Sequence, residues 1–222
     1  MARIWRLALA FVLSAAIVLV GLAVLWRFAP PVSTLMLARY VTCRPVVRDY
    51  VPLERISPNL VSAVVMSEDA KFCRHGGVDW QALGDVLEDA DEDGPSRGAS
   101  TITMQLVKNL FLWPSRSTIR KGLEIPLAMA LDLVWPKRRI MEAYLNIAEW
   151  GPDGIFGAEA GSRASFGKPA SALSAHQAAL MATALPNPLL RRPARPTAVQ
   201  ARLARRVLAR MGDAAPWLDC LK

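Results

Sequence analysis

Cysteine is scarce in this chain: Cys43, Cys73 and Cys220 are the only three. An odd number leaves at least one thiol over, so at most one disulfide can form, and no metal-ligand spacing joins them. No internal repeat is visible, and no stretch alternates apolar and polar residues strongly enough to demand a sheet. The chain therefore reads as mostly helical. Acidic residues are outnumbered too, 19 Asp and Glu against 27 Lys and Arg, for a net charge of +8. A basic chain leans toward anionic lipid head groups or phosphorylated lipids, with nucleic acid as the competing partner.

What the sequence has in excess is apolar residues, 53% of the total, and the surplus sits at the N-terminus. From Leu7 to Trp26 the chain carries no charge, bracketed by Arg3 and Arg6 before and Arg27 after. At about 1.5 Å per helical residue such a run spans roughly the hydrocarbon core of a bilayer. It is longer than the apolar core of a usual signal peptide, and its one small-x-small site, Gly21-Leu22-Ala23, lies inside it. We therefore expect a retained transmembrane anchor over residues 1–29 and one catalytic-sized domain over 30–222. Arg3 and Arg6 should hold the N-terminus in the cytoplasm, which puts the domain outside and argues against nucleic acid.

Within the domain, Ser57-Pro58 reads as a cap and first turn, and Leu60, Val61, Val64 and Val65 form an apolar face ending at Glu68-Asp69. A second helix starts near Asp79 and enters an acidic run, Asp85, Glu88, Asp89, Asp91, Glu92 and Asp93, read as a solvated flexible loop closed by Gly94-Pro95. Residues 101–112 and 120–134 look helical, and Ile140, Met141, Tyr144, Leu145 and Ala148 make an amphipathic stripe. Ser174 and Gln177 form a capping box. A last helix, from Thr197 to Met211, carries Val199, Leu203, Val207 and Met211 on one face.

Four motifs carry candidate chemistry. In Glu68-Asp69-Ala70-Lys71-Phe72-Cys73-Arg74-His75-Gly76-Gly77, a carboxylate ends an apolar helix, where desolvation raises its pKa and suits it to proton transfer. In the second, Gly98 to Asn109, Ser100 and Thr101 cap a helix whose N-terminal N–H groups can face an anion, with Lys108 two turns on. The third, Arg120-Lys121-Gly122-Leu123-Glu124, sets two cations beside a carboxylate at helical spacing. The fourth, Lys137 to Asn146, is an amphipathic helix with a basic start. Each has a bland structural reading as cap, surface pair or plain helix.

Their order and spacing are more specific. The run EDxxFxxHxG, GxSTITxQLxKN, RKxxE and KxxIxExYLN resembles the glycosyltransferase domain of peptidoglycan polymerases, over about residues 50–195. The phrases YLNIAEWG (Tyr144 to Gly151) and GAEA (Gly157 to Ala160) resemble the monofunctional, single-anchor members. That resemblance implies a lysozyme-like helical lobe with a small membrane-associated jaw, in a single-pass protein of the bacterial inner membrane with its catalytic domain in the periplasm. The implied reaction polymerises a lipid-diphosphate-linked disaccharide, lipid II, into a growing β-1,4 glycan strand with inversion, releasing undecaprenyl diphosphate. Glu68 is then the general base, and Lys108, Arg120 and Lys121 bind the diphosphate. Glu124 either orients those cations or helps hold a divalent cation, magnesium or manganese; sequence leaves both open. Asp69, Ser100, Thr101, Gln105 and Asn109 are implied substrate contacts. Met104 departs from the pattern, standing where many relatives have glutamine. The chain ends about thirty residues after Pro188, which leaves no room for a transpeptidase domain, so penicillin binding is not expected. Cell-wall synthesis or division proteins are candidate partners. The rivals are a lytic glycan-cleaving enzyme, which has no phosphate to bind, and a membrane-anchored scaffold, which leaves the motif order unexplained. Intact mass of protein extracted from membranes checks the anchor: the expected species keeps residues 1–29, and a mature chain starting near Val24 contradicts it.

Overall fold

A computed structural model describes residues 1–88, 99–115 and 117–222. Asp89, Asp91, Glu92, Asp93, Gly94-Pro95 and Gly98 lie outside the described residues, and with them most of the acidic run. The described residues form two compact units, Met1–Pro31 and Val32–Lys222. The first is α1 (Ala2–Phe28), apolar along its length and long enough to cross a bilayer.

The second unit is mostly helical: α2 (Thr34–Val41), α3 (Pro58–Glu68), α4 (Trp80–Glu88), α5 (Ile102–Phe111), α6 (Thr118–Val134), α7 (Lys137–Ile147), α8 (Ala158–Phe166), α9 (Ala175–Ala182) and α10 (Ala198–Met211). Three short strands, β1 (Val47–Arg48), β2 (Glu149–Gly151) and β3 (Ile155–Phe156), make a small sheet in the order β1-β3-β2. β1 runs parallel to β3 and β2 antiparallel to it. Strands this short carry no readable alternation, which is why the sequence shows none.

Several helix starts follow from local chemistry. Ser57 accepts from the Asn59 amide with Pro58 in the first turn, Ser174 and Gln177 close their reciprocal box, and Thr197 accepts from the Gln200 amide. Burial is wider than the pattern predicts. In α3 every residue from Leu60 to Met66 is buried, because α9 and α10 both pack against it. Each fully buried Leu or Val there contributes roughly 1.5–3 kcal/mol. α10 departs from its predicted stripe: Val199 is exposed, and the buried residues are Gln200, Ala204 and Val207. Small Ala204 permits close approach to the alanine-rich α9, and Gln200 can be buried because its Nε2 donates to the Leu180 carbonyl (3.3 Å).

The fourth motif is scaffold. Glu142 of α7 accepts from the Tyr50 hydroxyl (2.5 Å), the Leu53 amide (3.0 Å) and Arg139. Asn146 pairs both ways with the backbone of Val51, accepting its N–H (3.0 Å) and donating to its carbonyl (2.9 Å). Lys137 donates to the His75 carbonyl (2.7 Å) and to Asp132 (2.6 Å). Thus α7 fixes both the segment before α3 and the turn after it.

One disulfide, Cys73–Cys220, ties that same turn to the C-terminal tail across 147 residues, leaving Cys43 free and exposed. On a chain-entropy account, closing so long a loop contributes roughly 3–5 kcal/mol. Reduction, or Cys220→Ser, should lower the Tm of the folded chain by several degrees in a thermal scan; an unchanged Tm under complete reduction contradicts this.

Candidate active site

The site is built where the first motif turns. α3 ends at Glu68; the chain passes Asp69, makes a short turn over buried Phe72, and reaches Gly77. Gly77 has φ +87°, and a Cβ there would lie 2.5 Å from the Ala128 carbonyl oxygen of α6, so only glycine fits. Its carbonyl accepts from the Thr101 hydroxyl (2.6 Å). Asp69, buried, accepts from the Ile102 amide of α5 (3.0 Å) and faces His75 Nε2 at 2.9 Å. The anion at the N-terminus of α5 is therefore the protein's own Asp69. The sequence reading offered that helix end to a substrate phosphate; the structure fills it from within, and Thr101 completes the cap by accepting from Met104.

This junction sets Glu68 beside Gln105. Gln105 Nε2 donates to Glu68 Oε2 (3.1 Å), while the Tyr144 hydroxyl donates to Gln105 Oε1 (2.8 Å) and fixes the amide's orientation. Ser67 donates to Glu68 Oε1 (3.2 Å). Burial pushes the Glu68 carboxyl above the usual carboxylate range and outweighs these hydrogen bonds and the opposing charge of Arg191; neighbouring Asp69 adds a smaller push in the same direction. Each Glu68 oxygen keeps a lone pair free.

Gln105, Lys108, Asn109, Arg120, Tyr144 and Glu149 line a cavity of about 480 Å³. Lys108 has no hydrogen-bond or ion-pair partner among the described residues, and burial, aided by the charges of Arg120 and Lys121, lowers its pKa against the pull of Glu124 and Glu68. Arg120 is held by the Ser115 carbonyl (2.8 Å) and by Glu124. Lys121 bridges Glu124 (2.7 Å) and Ser100 (2.6 Å). Glu124, 2% exposed, is thus buried under both cations rather than forming a surface pair. Three cations face one carboxylate here, so this wall of the cavity is positive. Of the sequence-predicted residues, Gln105, Lys108, Asn109 and Arg120 line it; Glu68 lies behind Gln105, and Glu124, Lys121 and Ser100 are joined to Arg120 by hydrogen bonds. Asp69 and Thr101 are buried in the junction instead.

A family described as Transglycosylase matches residues 36–212. The chain belongs to the transglycosylase family. The biosynthetic peptidoglycan transglycosylase of Brucella suis biovar 1 is 57% identical over 195 residues, 88% of this chain and 87% of that protein. That of Rhodopseudomonas palustris strain HaA2 is 51% identical over 215 residues, 96% and 95%. That of Agrobacterium fabrum is 53% identical over 194 residues, 87% and 85%.

For this transglycosylase, three residues at the site had no sequence signal as such. Tyr144 reads as core and is fully buried, yet its hydroxyl sets Gln105. Glu149 lines the cavity with its pKa raised by burial, against the pull of Arg39 at 3.6 Å. Arg191, far along the chain, reaches Glu68 with its charge. Met104 is buried on the inner side of α5 and is not part of the cavity wall, so its departure from the pattern costs no contact there. Each Glu124 oxygen serves one cation, Arg120 or Lys121, and no three His, Cys, Asp or Glu side chains gather among the described residues, so a divalent cation here would be held chiefly by the diphosphate.

The two glutamates should respond oppositely to neutralisation. Glu68 has a raised folded pKa, so its ionisation costs stability as pH rises through that pKa. Glu68→Gln removes the cost, and its Tm at neutral pH should equal or exceed that of the parent. Glu124→Gln strips two held cations of their partner and should lose about 1–3 kcal/mol. Thermal denaturation of both variants at pH 7 checks this; a lower Tm for Glu68→Gln refutes the assigned burial cost.

Proposed function

We propose that the chain polymerises lipid-diphosphate-linked disaccharide into β-1,4 glycan strands of peptidoglycan, releasing undecaprenyl diphosphate. The observation that carries this is a desolvated carboxyl, Glu68, hydrogen-bonded to Gln105 of a cavity whose lining also includes Arg120 and Lys108, the latter without a partner among the described residues. The names of the relatives point the same way, to biosynthesis rather than lysis.

In the reaction the acceptor's 4-hydroxyl oxygen forms the new bond to the anomeric carbon, the carbon–oxygen bond to the diphosphate breaks, and the proton passes to Glu68. A base with a raised pKa holds that proton better at working pH. The leaving diphosphate gains charge as the bond breaks; Arg120, already held by Ser115 and Glu124, and Lys108, partly desolvated and with its donors uncommitted among the described residues, stabilise it. Glu124 orients Arg120 and Lys121. Gln105 and Asn109 contact sugar or phosphate, Ser100 holds Lys121, and Asp69 and Thr101 position α5. A lytic enzyme has no use for the cationic wall.

The membrane setting rests on α1 as anchor, residues 1–29, with 30–222 as the catalytic domain in the periplasm of the inner membrane. Arg3 and Arg6 favour a cytoplasmic N-terminus, and the Cys73–Cys220 disulfide suits an oxidising compartment. Ile119, Leu123, Met129 and Leu133 recur along α6 as exposed apolar side chains, a face suited to the bilayer surface. Of the four apolar residues from Leu110 to Trp113 that follow the second motif, Leu110 and Leu112 are core and Trp113 is exposed.

The test is purified full-length protein in detergent with lipid-linked disaccharide. A lysozyme-sensitive polymer is expected, and Glu68→Gln should cut its formation at least roughly hundredfold with substrate binding retained. The pH dependence of kcat/KM should be bell-shaped: the acid limb lies above the usual carboxylate range, since Glu68 must be ionised, and the alkaline limb below the usual lysine range, since Lys108 must be charged. Lys108→Arg should move the alkaline limb upward. Near-normal turnover in folded Glu68→Gln would overturn the mechanism.

A further inference from the structure

A second groove, of about 900 Å³, lies between the first-motif turn with the start of α4 and the C-terminal tail. It shares no lining residue with the catalytic cavity. Trp80 and Trp217 both line it, from segments far apart in sequence, and they are 55% and 39% exposed. Exposed tryptophans converging on one concavity mark a binding surface rather than leftover core. We infer that this groove is a saccharide-binding site that holds the nascent glycan strand outside the catalytic cavity.

The chemistry of the lining selects the ligand. An indole face packs against the C–H face of a pyranose, while fixed polar groups meet its hydroxyl and acetamido groups. Those polar groups are fixed here: Lys71 donates to Gln81 Oε1 (2.9 Å) and lies 3.8 Å from Asp79. Arg74 donates to the Pro216 carbonyl (2.8 Å) and lies 3.4 Å from Asp219. Each cation is balanced by a carboxylate, so the groove is close to neutral and suits an uncharged saccharide over a phosphate. Gln81 spends its amide oxygen on Lys71 and keeps its NH₂ to donate. The Trp217 wall is held in place by the Cys73–Cys220 disulfide three residues on. His75, also in the lining, pairs with Asp69 next to Glu68, so the groove is joined to the catalytic turn.

The inference rests on the polymerising reading for its ligand, and the test separates the two. Full-length protein in detergent is titrated with N-acetylchitohexaose, with maltohexaose as control, following tryptophan fluorescence and calorimetric heat. Saturable binding of the first sugar alone is expected, weakened at least about tenfold in Trp80→Ala and in Trp217→Ala. In polymerisation of lipid-linked disaccharide, both variants should keep the initial rate and make shorter strands. No saturable binding, or equal affinity in Trp80→Ala/Trp217→Ala, overturns the site even if polymer forms. Absence of polymer from the parent protein overturns the polymerising reading, while loss of hexaose binding in the two variants upholds the groove independently.

Discussion

The buried carboxylate of Asp69 is the constraint on which the site depends. It sits one residue past the end of α3, accepts the first N–H of α5 and pairs with His75. Through it the helix that ends in Glu68 and the helix that carries Gln105 and Lys108 share one junction. Gly77 lets the turn lie against α6, Thr101 fastens α5 to Gly77, and Lys137 of α7 holds the His75 carbonyl. Remove the carboxylate and an N–H is left buried without a partner, at a cost of about 1–3 kcal/mol, at the junction of α3 and α5.

Around that junction the protein keeps two opposite charges in partly dry surroundings without letting them neutralise. Burial raises the pKa of Glu68 and lowers that of Lys108, and each carries a trace of the other's field. Both shifts cost folding stability, and both bring the groups closer to the pH at which protons move. The ion pair that offsets this is Glu124 under Arg120 and Lys121, which stores positive charge beside the cavity in a fixed orientation. The disulfide and the α7 ties stabilise the same region from outside.

Local structure was readable from the sequence where the interaction closes within a few residues. The caps at Ser57 and Ser174 and the RKxxE cluster of α6 are of that kind. The resemblance over four motifs gave the family and four of the residues that line the cavity, Gln105, Lys108, Asn109 and Arg120. Long-range partnerships were not readable. Nothing local says that Asp69 would cap a helix 33 residues on, that Asn146 would pair with Val51 95 residues back, or that Cys73 would choose Cys220. The face of α10 was misread for a related reason: its neighbour α9 is rich in alanine, so close packing selects Ala204 and a satisfied Gln200 over the larger Val199. The motif residues consequently divide into those that face the cavity and those, such as Asp69, Thr101 and Glu142, that hold it in shape, a division the spacing alone does not reveal.

Amide hydrogen exchange on Asp69→Ala, paired with its polymerisation kinetics, tests this account most directly. The account predicts faster exchange at Ile102 and the first turn of α5, unchanged protection in α7, and a fall in kcat of at least about tenfold with KM little altered. Unchanged protection at Ile102, or a variant impaired only in KM, would contradict it and make Asp69 a substrate contact after all.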